Sequence, residues 1–217
     1  MRTPFFILFL LVLFISCKNS DKKTAGTPVP DKPVIDSLLI TDSTWGLIHE
    51  NMSFSDLQVL YGHDSLLKDA RICGAECVDS VDVTILYPGS KNESTIYWKD
   101  SAYHRTISFI ECYGDRSDWH TADTLKIGTG FKELLRLNGR SISFSGFGWD
   151  YGGEISSFNG GTLENSPIRY SIADTTDIDN SLYGDTELNT DMPAVKKEME
   201  KITIRAIRLL FNRKDEY

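Results

Sequence analysis

The sequence predicts an α+β fold: two tandem repeats of a short helix packed on an antiparallel β-sheet, after a signal peptide and a disordered tether. The frame F-x-[DE]-L-x-x-L-[NY]-G occurs twice, at 54–62 and 131–139, an offset of 77 residues. Strand-like runs of β-branched and aromatic residues follow each copy. Such self-similarity indicates an internal duplication, which predicts a first repeat over 41–120 and a second over 121–217.

Residues 1–16 predict a secretory signal peptide. Arg2 is followed by eleven apolar residues, FFILFLLVLFI, and a membrane-spanning helix needs about 20. The ending Ser16-Cys17 resembles the lipobox of bacterial lipoproteins, in which the cysteine is acylated, for example with palmitate, and becomes the mature N-terminus. Lys18 in place of aspartate favours the outer membrane. The alternative is an ordinary signal peptide with a chance cysteine.

Residues 17–40 are expected to form the lipidated Cys17 and a flexible tether. The segment is rich in Lys, Asp, Ser and Thr and contains three prolines. Such a composition buries too little apolar surface to offset the entropy of ordering. By the square-root scaling of flexible linkers, the tether would hold the globular part about 25–30 Å from the membrane anchor.

Each copy of the repeated frame predicts a two-turn helix. Ser53 and Asp56 form a capping box in the first copy, whereas Gly130 and Glu133 keep the spacing with a weaker cap. A glycine ends each copy in a position that favours positive φ. An apolar stripe with a spacing of three residues is expected to face a sheet; its members are Phe54, Leu57 and Leu60, and Phe131, Leu134 and Leu137.

Hydrophobic alternation and β-branched residues predict the strands. After the first helix they are expected near 65–72, 81–87, 94–98 and 105–113. After the second helix they are expected near 141–147, 154–158, 168–172 and 202–211, the last preceded by a short helix.

Composition and motifs exclude several classes of function. The net charge of −8 argues against a nucleic-acid partner. The chain lacks the common hydrolase, metalloprotease and nucleotide-binding motifs, and its four histidines are scattered. We therefore predict no enzyme, no catalytic residue, no cofactor and no metal. The acidic run 174–191 fails the EF-hand template at Leu182 and Leu188, so a solvated loop is expected there.

The opening of the first repeat resembles that of the β-lactamase-inhibitor-protein-like group. The resemblance is carried by Gly46-Leu47-Ile48, Met52-Ser53 and Tyr61-Gly62. Small envelope lipoproteins of the barrel-assembly accessory type carry one such unit. The whole chain also resembles uncharacterised lipoproteins of Gram-negative envelopes, through 119–121 and GFGWDYGG at 146–153. The resemblance implies a tandem helix-plus-sheet fold and a non-enzymatic role. It implies no particular partner, and the group's inhibitory contacts have no counterpart here.

The segment GFGWDYGG places three aromatic residues, Phe147, Trp149 and Tyr151, at alternate positions between glycines. On a strand, all three rings would project from one face. An exposed face of this kind would form a platform for stacking sugars or docking a protein, to which Trp98 and Trp119 could contribute. The alternative is that the three rings form the core beneath a helix, with the glycines allowing a bulge.

Three cysteines remain after the anchor: Cys73, Cys77 and Cys112. An oxidising envelope permits a disulfide between Cys73 and Cys77, across a tight loop. A bridge to Cys112 and free thiols are the alternatives, because spacing does not determine connectivity. The C-x-x-x-C spacing matches no common zinc site.

The sequence as a whole predicts a lipid-anchored envelope protein at the outer membrane, acting as a non-enzymatic protein-binding or assembly module. Its expected partners are the membrane, through the lipid on Cys17, and another envelope protein. The alternative is a glycan-binding lipoprotein that uses the exposed aromatics. An envelope hydrolase is the least favoured function; it would require His104 or His120 in a pocket beside Glu111 or Cys112.

Overall fold

The fold consists of eleven strands and three short helices in the part of the chain that the structure describes. This computed structural model describes residues 36–62, 67–73, 80–100 and 102–211. The predicted signal peptide, the lipidation site Cys17 and the predicted tether up to residue 35 lie outside these residues. The end of the predicted tether is folded, which corrects its boundary: Leu39–Ile40 form a strand, and Ile40 is fully buried because its apolar side chain joins the hydrophobic core. The predicted α+β class is confirmed.

The helices are α1 (Phe54–Tyr61), α2 (Phe131–Asn138) and α3 (Pro193–Glu198). The strands are β1 (Leu39–Ile40), β2 (Leu67–Cys73), β3 (Ser80–Leu86), β4 (Ser94–Trp98), β5 (Ile107–Tyr113), β6 (His120–Thr121), β7 (Ser143–Ser145), β8 (Ile155–Ser157), β9 (Ile168–Asp174), β10 (Glu187–Asn189) and β11 (Ile202–Leu210). The eight predicted strands and the short helix before the last one are all present; β4 has the predicted bounds, and the ends of the other strands are shifted.

One antiparallel sheet of six strands, in the order β2-β3-β4-β5-β11-β9, dominates the fold. Its first four strands come from the first predicted repeat, and β11 and β9 come from the second. A smaller sheet has the order β10-β7-β8, and β1 pairs with β6 in parallel. The two halves of the chain thus have matching first helices and different strand arrangements, and both contribute to one hydrophobic cluster. The duplication itself stays a prediction.

Helices α1 and α2 have the bounds that the repeated frame predicts. The capping box of α1 is formed: the Asp56 carboxylate accepts from the Ser53 backbone N–H at 2.8 Å, and the Ser53 hydroxyl accepts from the Asp56 N–H at 3.3 Å. Gly130 supplies no side-chain cap to α2. Gly62 and Gly139 close the helices with φ of 79° and 70°.

The apolar stripes are buried only in part, which corrects one expectation. Leu57, Phe131 and Leu134 are fully buried, whereas Leu60 is 38% exposed. The physical reason is helix geometry: a spacing of three residues covers only 300°, so the stripe drifts by 60° at each step. In α1 the stripe is centred on Leu57, and Leu60 has turned toward solvent.

The acidic run 174–191 is also more ordered than expected. It contains a 3₁₀ turn at Asn180–Leu182 and the strand β10. Leu182 and Leu188, the two residues that break the calcium-loop template, are buried. The run is therefore a structured connection whose leucines anchor it to the core.

The two faces of the six-stranded sheet differ in composition. The inner face packs on the helices through residues such as Ile96, Ile110 and Ile207, all fully buried. Residues paired directly across neighbouring strands point to the same face of the sheet. The strand registers therefore also identify the residues on the opposite face of the sheet, which we call the outer face. Its central members are Val83, Ile85, Thr95, Tyr97, Phe109, Glu111, Tyr113, Arg208, Arg169 and Ser171.

Among the described residues, no helix is both long enough and apolar enough to span a membrane.

Candidate functional site

A polar cleft of about 390 Å³ lies on the outer face. It is bounded by β5, β11 and β9 and by the loop 149–154. A volume of this size falls at the lower end of the range for small-molecule sites. Charged and aromatic side chains dominate its lining, which includes Glu111, Arg208, Glu154, Ser171, Trp149 and Tyr113.

The floor of the cleft is an ion pair between adjacent strands. Arg208 on β11 lies directly opposite Glu111 on β5. Its Nε atom donates to Oε2 of Glu111 at 2.7 Å, and its Nη2 atom forms an ion pair with the same oxygen at 2.5 Å. The side chain of Glu111 is only 17% exposed and that of Arg208 is 36% exposed. The pair is thus fixed and partly desolvated, while Oε1 of Glu111 has no protein donor among the described residues.

Aromatic rings on the outer face surround this ion pair. The rings of Tyr97 and Phe109 stack with their centroids 4.0 Å apart, and the guanidinium of Arg208 lies 5.1 Å from the Phe109 centroid. Burial, with a contribution from the Glu111 carboxylate, raises the pKa of the Tyr97 phenol to about 12. The phenol therefore stays protonated at neutral pH.

The sides of the cleft are also held by paired groups. Oε1 of Glu154 accepts from the hydroxyl of Ser171 at 2.8 Å. On the opposite side, the guanidinium of Arg205 lies 4.2 Å from the centroid of the Tyr113 ring, a cation–π contact. Tyr113 remains 55% exposed. Stacking therefore occupies Arg205, while its aromatic partner faces solvent.

The three aromatics of GFGWDYGG do not share one strand face, which corrects the sequence prediction. Phe147 is buried in the core, Trp149 is partly exposed and Tyr151 is 52% exposed. Gly148 and Gly153 adopt φ of 82° and 79°, so the segment turns and the two-residue period of a strand does not apply. The segment supplies one core ring and two surface rings.

The two surface rings form a pair beside the cleft. Trp149 and Tyr151 meet edge to face, with their centroids 5.3 Å apart. The indole N–H of Trp149 donates to the carbonyl of Gly146 at 2.8 Å. Trp149 lines the cleft, whereas Tyr151 supports it from outside the lining.

The remaining tryptophans are not available for stacking. Trp98 is 5% exposed and donates to the Thr84 hydroxyl; Trp119 is fully buried and donates to the Asn92 carbonyl. The expectation that these two rings contribute to a surface platform is therefore wrong, because both rings are buried inside the protein. Trp45 is fully buried as well.

The cysteine and histidine side chains that a hydrolase would need are not brought together at the cleft. Cys73 ends β2, and Cys77 lies outside the described residues, so their disulfide stays a prediction. Cys112 is a free, buried thiol, and burial raises its pKa to about 12. Of the described residues that line the cleft, none is a histidine: His104 stacks on Trp98 and His120 pairs with Asp36. The described residues hold no metal-binding group of three or more acidic, His or Cys side chains.

Comparisons with known proteins provide little further information. No protein-family model matches the chain, and no curated protein matches it significantly. Among solved structures, the uncharacterized protein yfeY from Escherichia coli aligns with a TM-score of 0.45 at 14% identity. The alignment covers 81% of this chain and 99% of that chain. A likeness at this level carries no argument about function.

Of the residues that line the cleft, the sequence predicts a binding role for Trp149 and points to Glu111 only for the least favoured function, a hydrolase. The pattern that could have indicated the cleft lies in β5, where the outward-facing residues Phe109, Glu111 and Tyr113 alternate with buried residues. The partners from β11 and β9 could not have been found, because their position next to β5 depends on the strand order.

Proposed function

We propose that the protein is a lipid-anchored component of the cell envelope that binds another envelope protein through its outer face. In this proposal, acylated Cys17 holds the chain at the outer membrane, and the chain catalyses no reaction. The N-terminal sequence supports the anchor: a short apolar core ends in Ser16-Cys17, and a proline-containing tether follows.

The composition of the outer face carries the proposal. Tyrosine, tryptophan and arginine are the residues that most often dominate protein-binding energies. The outer face combines them in Tyr97, Tyr113 and Arg208, with Trp149 at its border. Lysine, which interfaces disfavour, is missing from the described lining of the cleft. The composition of the outer face is therefore closer to that of a protein-binding interface than to that of an ordinary solvent-exposed surface.

The proposal is tested by photo-crosslinking in intact cells. A photoreactive amino acid replaces Thr95, which lies on the outer face opposite Glu111 and away from the border formed by Trp149. The matched control position is Val59 on α1, which is 89% exposed on the helix side. We expect one discrete crosslinked protein from position 95 and none from position 59. Mass spectrometry of the crosslinked band then identifies the partner.

The anchor is tested in the same cells. In the Cys17→Ser variant the protein should leave the outer-membrane fraction, and the crosslink from position 95 should weaken because the partner is no longer nearby. Equal crosslinking from both positions, or no crosslink from position 95, would contradict docking through the outer face. Retention of the Cys17→Ser variant in the membrane would contradict the lipid anchor.

A further inference from the structure

We propose that the cleft between β5, β11, β9 and the loop 149–154 binds a neutral saccharide, with the Trp149 ring as its stacking platform. This goes beyond protein docking, since it assigns a second type of ligand to a defined part of the outer face. It does not depend on the docking proposal.

The hydrogen-bonding groups of the cleft match vicinal hydroxyl groups. Glu111 uses Oε2 for both contacts with Arg208, which leaves Oε1 as an acceptor next to a guanidinium edge. Glu154 likewise uses Oε1 for Ser171. Each carboxylate can therefore accept from a ligand hydroxyl, while Arg208 can donate to one. Charge-assisted hydrogen bonds of this kind are the stronger class.

The aromatic wall is positioned in advance of binding. The indole N–H of Trp149 is already used by the Gly146 carbonyl, so the ring offers its apolar face to a ligand rather than a donor. Backbone hydrogen bonds hold the loop that carries the ring: the Gly152 N–H donates to the Trp149 carbonyl at 2.9 Å, and the Gly153 N–H donates to the Ser145 carbonyl at 2.9 Å. A rigid, amphipathic ring costs little conformational entropy when a ligand binds.

The charges of the cleft disfavour an anionic ligand. Three carboxylates, of Glu111, Asp150 and Glu154, face two guanidinium groups. Arg208 is paired with Glu111, and Arg205 is stacked on Tyr113. A phosphate or sulfate would therefore meet a net negative lining. A ligand with many hydroxyl groups and no charge satisfies the free oxygens without adding repulsion.

The test uses the full-length protein in a detergent without a sugar headgroup. Cellotriose and the N-acetylglucosamine trimer are the saccharide probes, and putrescine is the amine probe. Titration calorimetry measures affinity, and tryptophan fluorescence reports the site. Trp149 is the one partly exposed tryptophan of the four in the chain, so a blue shift or protection from acrylamide quenching on binding is assigned to it.

Two cleft variants and two matched controls test the location. Trp149→Ala removes the platform, and Glu111→Gln keeps the shape of the acceptor while removing its charge. Each should weaken saccharide binding about tenfold. The controls are Tyr103→Ala, an aromatic that is 69% exposed outside the cleft, and Glu200→Gln, whose side chain is 74% exposed. Both controls should bind as the unmodified protein does, and circular dichroism checks the fold of every variant.

Saturable binding of either trimer that both cleft variants weaken would support the proposal. It would be overturned if neither trimer bound, if the cleft variants bound the trimers as tightly as the unmodified protein does, or if putrescine bound in place of the trimers. Failure here would leave the crosslink from position 95 unaffected, so the two proposals can fail separately.

Discussion

Asn138 provides the sharpest test of how the fold is held together. It ends α2 and is 1% exposed. Its amide nitrogen donates to the carbonyls of Arg140 and Phe158, at 2.9 Å each, and its Oδ1 accepts from the Leu163 N–H at 3.3 Å. One side chain thus satisfies backbone groups from the helix end and from the loop after β8.

The expected cost of Asn138→Ala follows from the groups that it leaves without partners. The Leu163 N–H loses its buried hydrogen bond, and an unsatisfied buried group costs about 1–3 kcal/mol. The Phe158 carbonyl loses the Asn138 amide but keeps the Gly161 N–H at 2.9 Å, and a lost hydrogen bond of this kind costs about 1 kcal/mol. We expect a loss of about 3 kcal/mol in the free energy of unfolding, because the loop can relax partly toward water. For a domain of this size the melting temperature would fall by about 6–12 °C.

A double-mutant cycle makes the test specific. A Cβ on Gly161 would lie 2.1 Å from Oδ1 of Asn138, so Gly161→Ala alone must displace the amide and should cost about as much as Asn138→Ala. Once Asn138 is alanine the obstacle is gone, and adding Gly161→Ala should cost less than about 1 kcal/mol. The coupling energy between the two sites should therefore be about 2–3 kcal/mol.

Urea unfolding followed by circular dichroism measures all four proteins of the cycle, with Asn180→Ala as an exposed asparagine control. The control should change stability by less than about 0.5 kcal/mol. Additive costs for Asn138→Ala and Gly161→Ala would refute the reasoning, as would a cost below about 1 kcal/mol for Asn138→Ala.

Three further predictions concern the helix caps and the buried thiol. Gly130→Ser should raise stability by about 0.5 kcal/mol, because it gives α2 a side-chain cap where the Cβ meets no other atom; a loss in urea unfolding would contradict this. Hydrogen bonds from the side chain and backbone of Ser53 lower the pKa of Asp56 in the folded protein. The ionised Asp56 carboxylate therefore stabilises the fold at pH values above its pKa in the unfolded chain, and this stabilisation is lost as the pH falls through its pKa in the folded protein. The stability difference between the unmodified protein and Asp56→Asn should therefore shrink below about pH 4, and a constant difference would argue against the cap. Finally, Cys112 should resist alkylation at pH 8 in the native protein and react in urea, as peptide mapping by mass spectrometry can show; native labelling would contradict the burial that raises its pKa to about 12.

The helices and most strands could be predicted because their signals are local. The capping box at Ser53 and Asp56 and the glycines at 62 and 139 set the helix ends within nine residues of sequence. Alternation likewise marked β4 at its observed bounds. Each of these features depends on neighbouring residues, and such features are what periodicity and capping rules detect.

The position of the GFGWDYGG rings could not be predicted by the same rules. Alternation predicts a shared face only while the backbone stays extended. Gly148 and Gly153 instead adopt positive φ, and nothing in the sequence distinguishes a glycine that turns the chain from one that merely lies in a strand. The separation of Phe147 from Trp149 was therefore decided by backbone angles that only the folded chain reveals.

The cleft depends on a tertiary arrangement that neither half of the chain contains. Glu111 comes from the first predicted repeat, whereas Arg208 and Glu154 come from the second, and they meet because β11 lies between β5 and β9. Within one half, the Glu111 carboxylate would lack its guanidinium partner, and a partly buried, unpaired charge is destabilising. If the chain arose by duplication, its binding surface is consequently a property of the fused protein, and a single repeat would retain a helix and strands without this site.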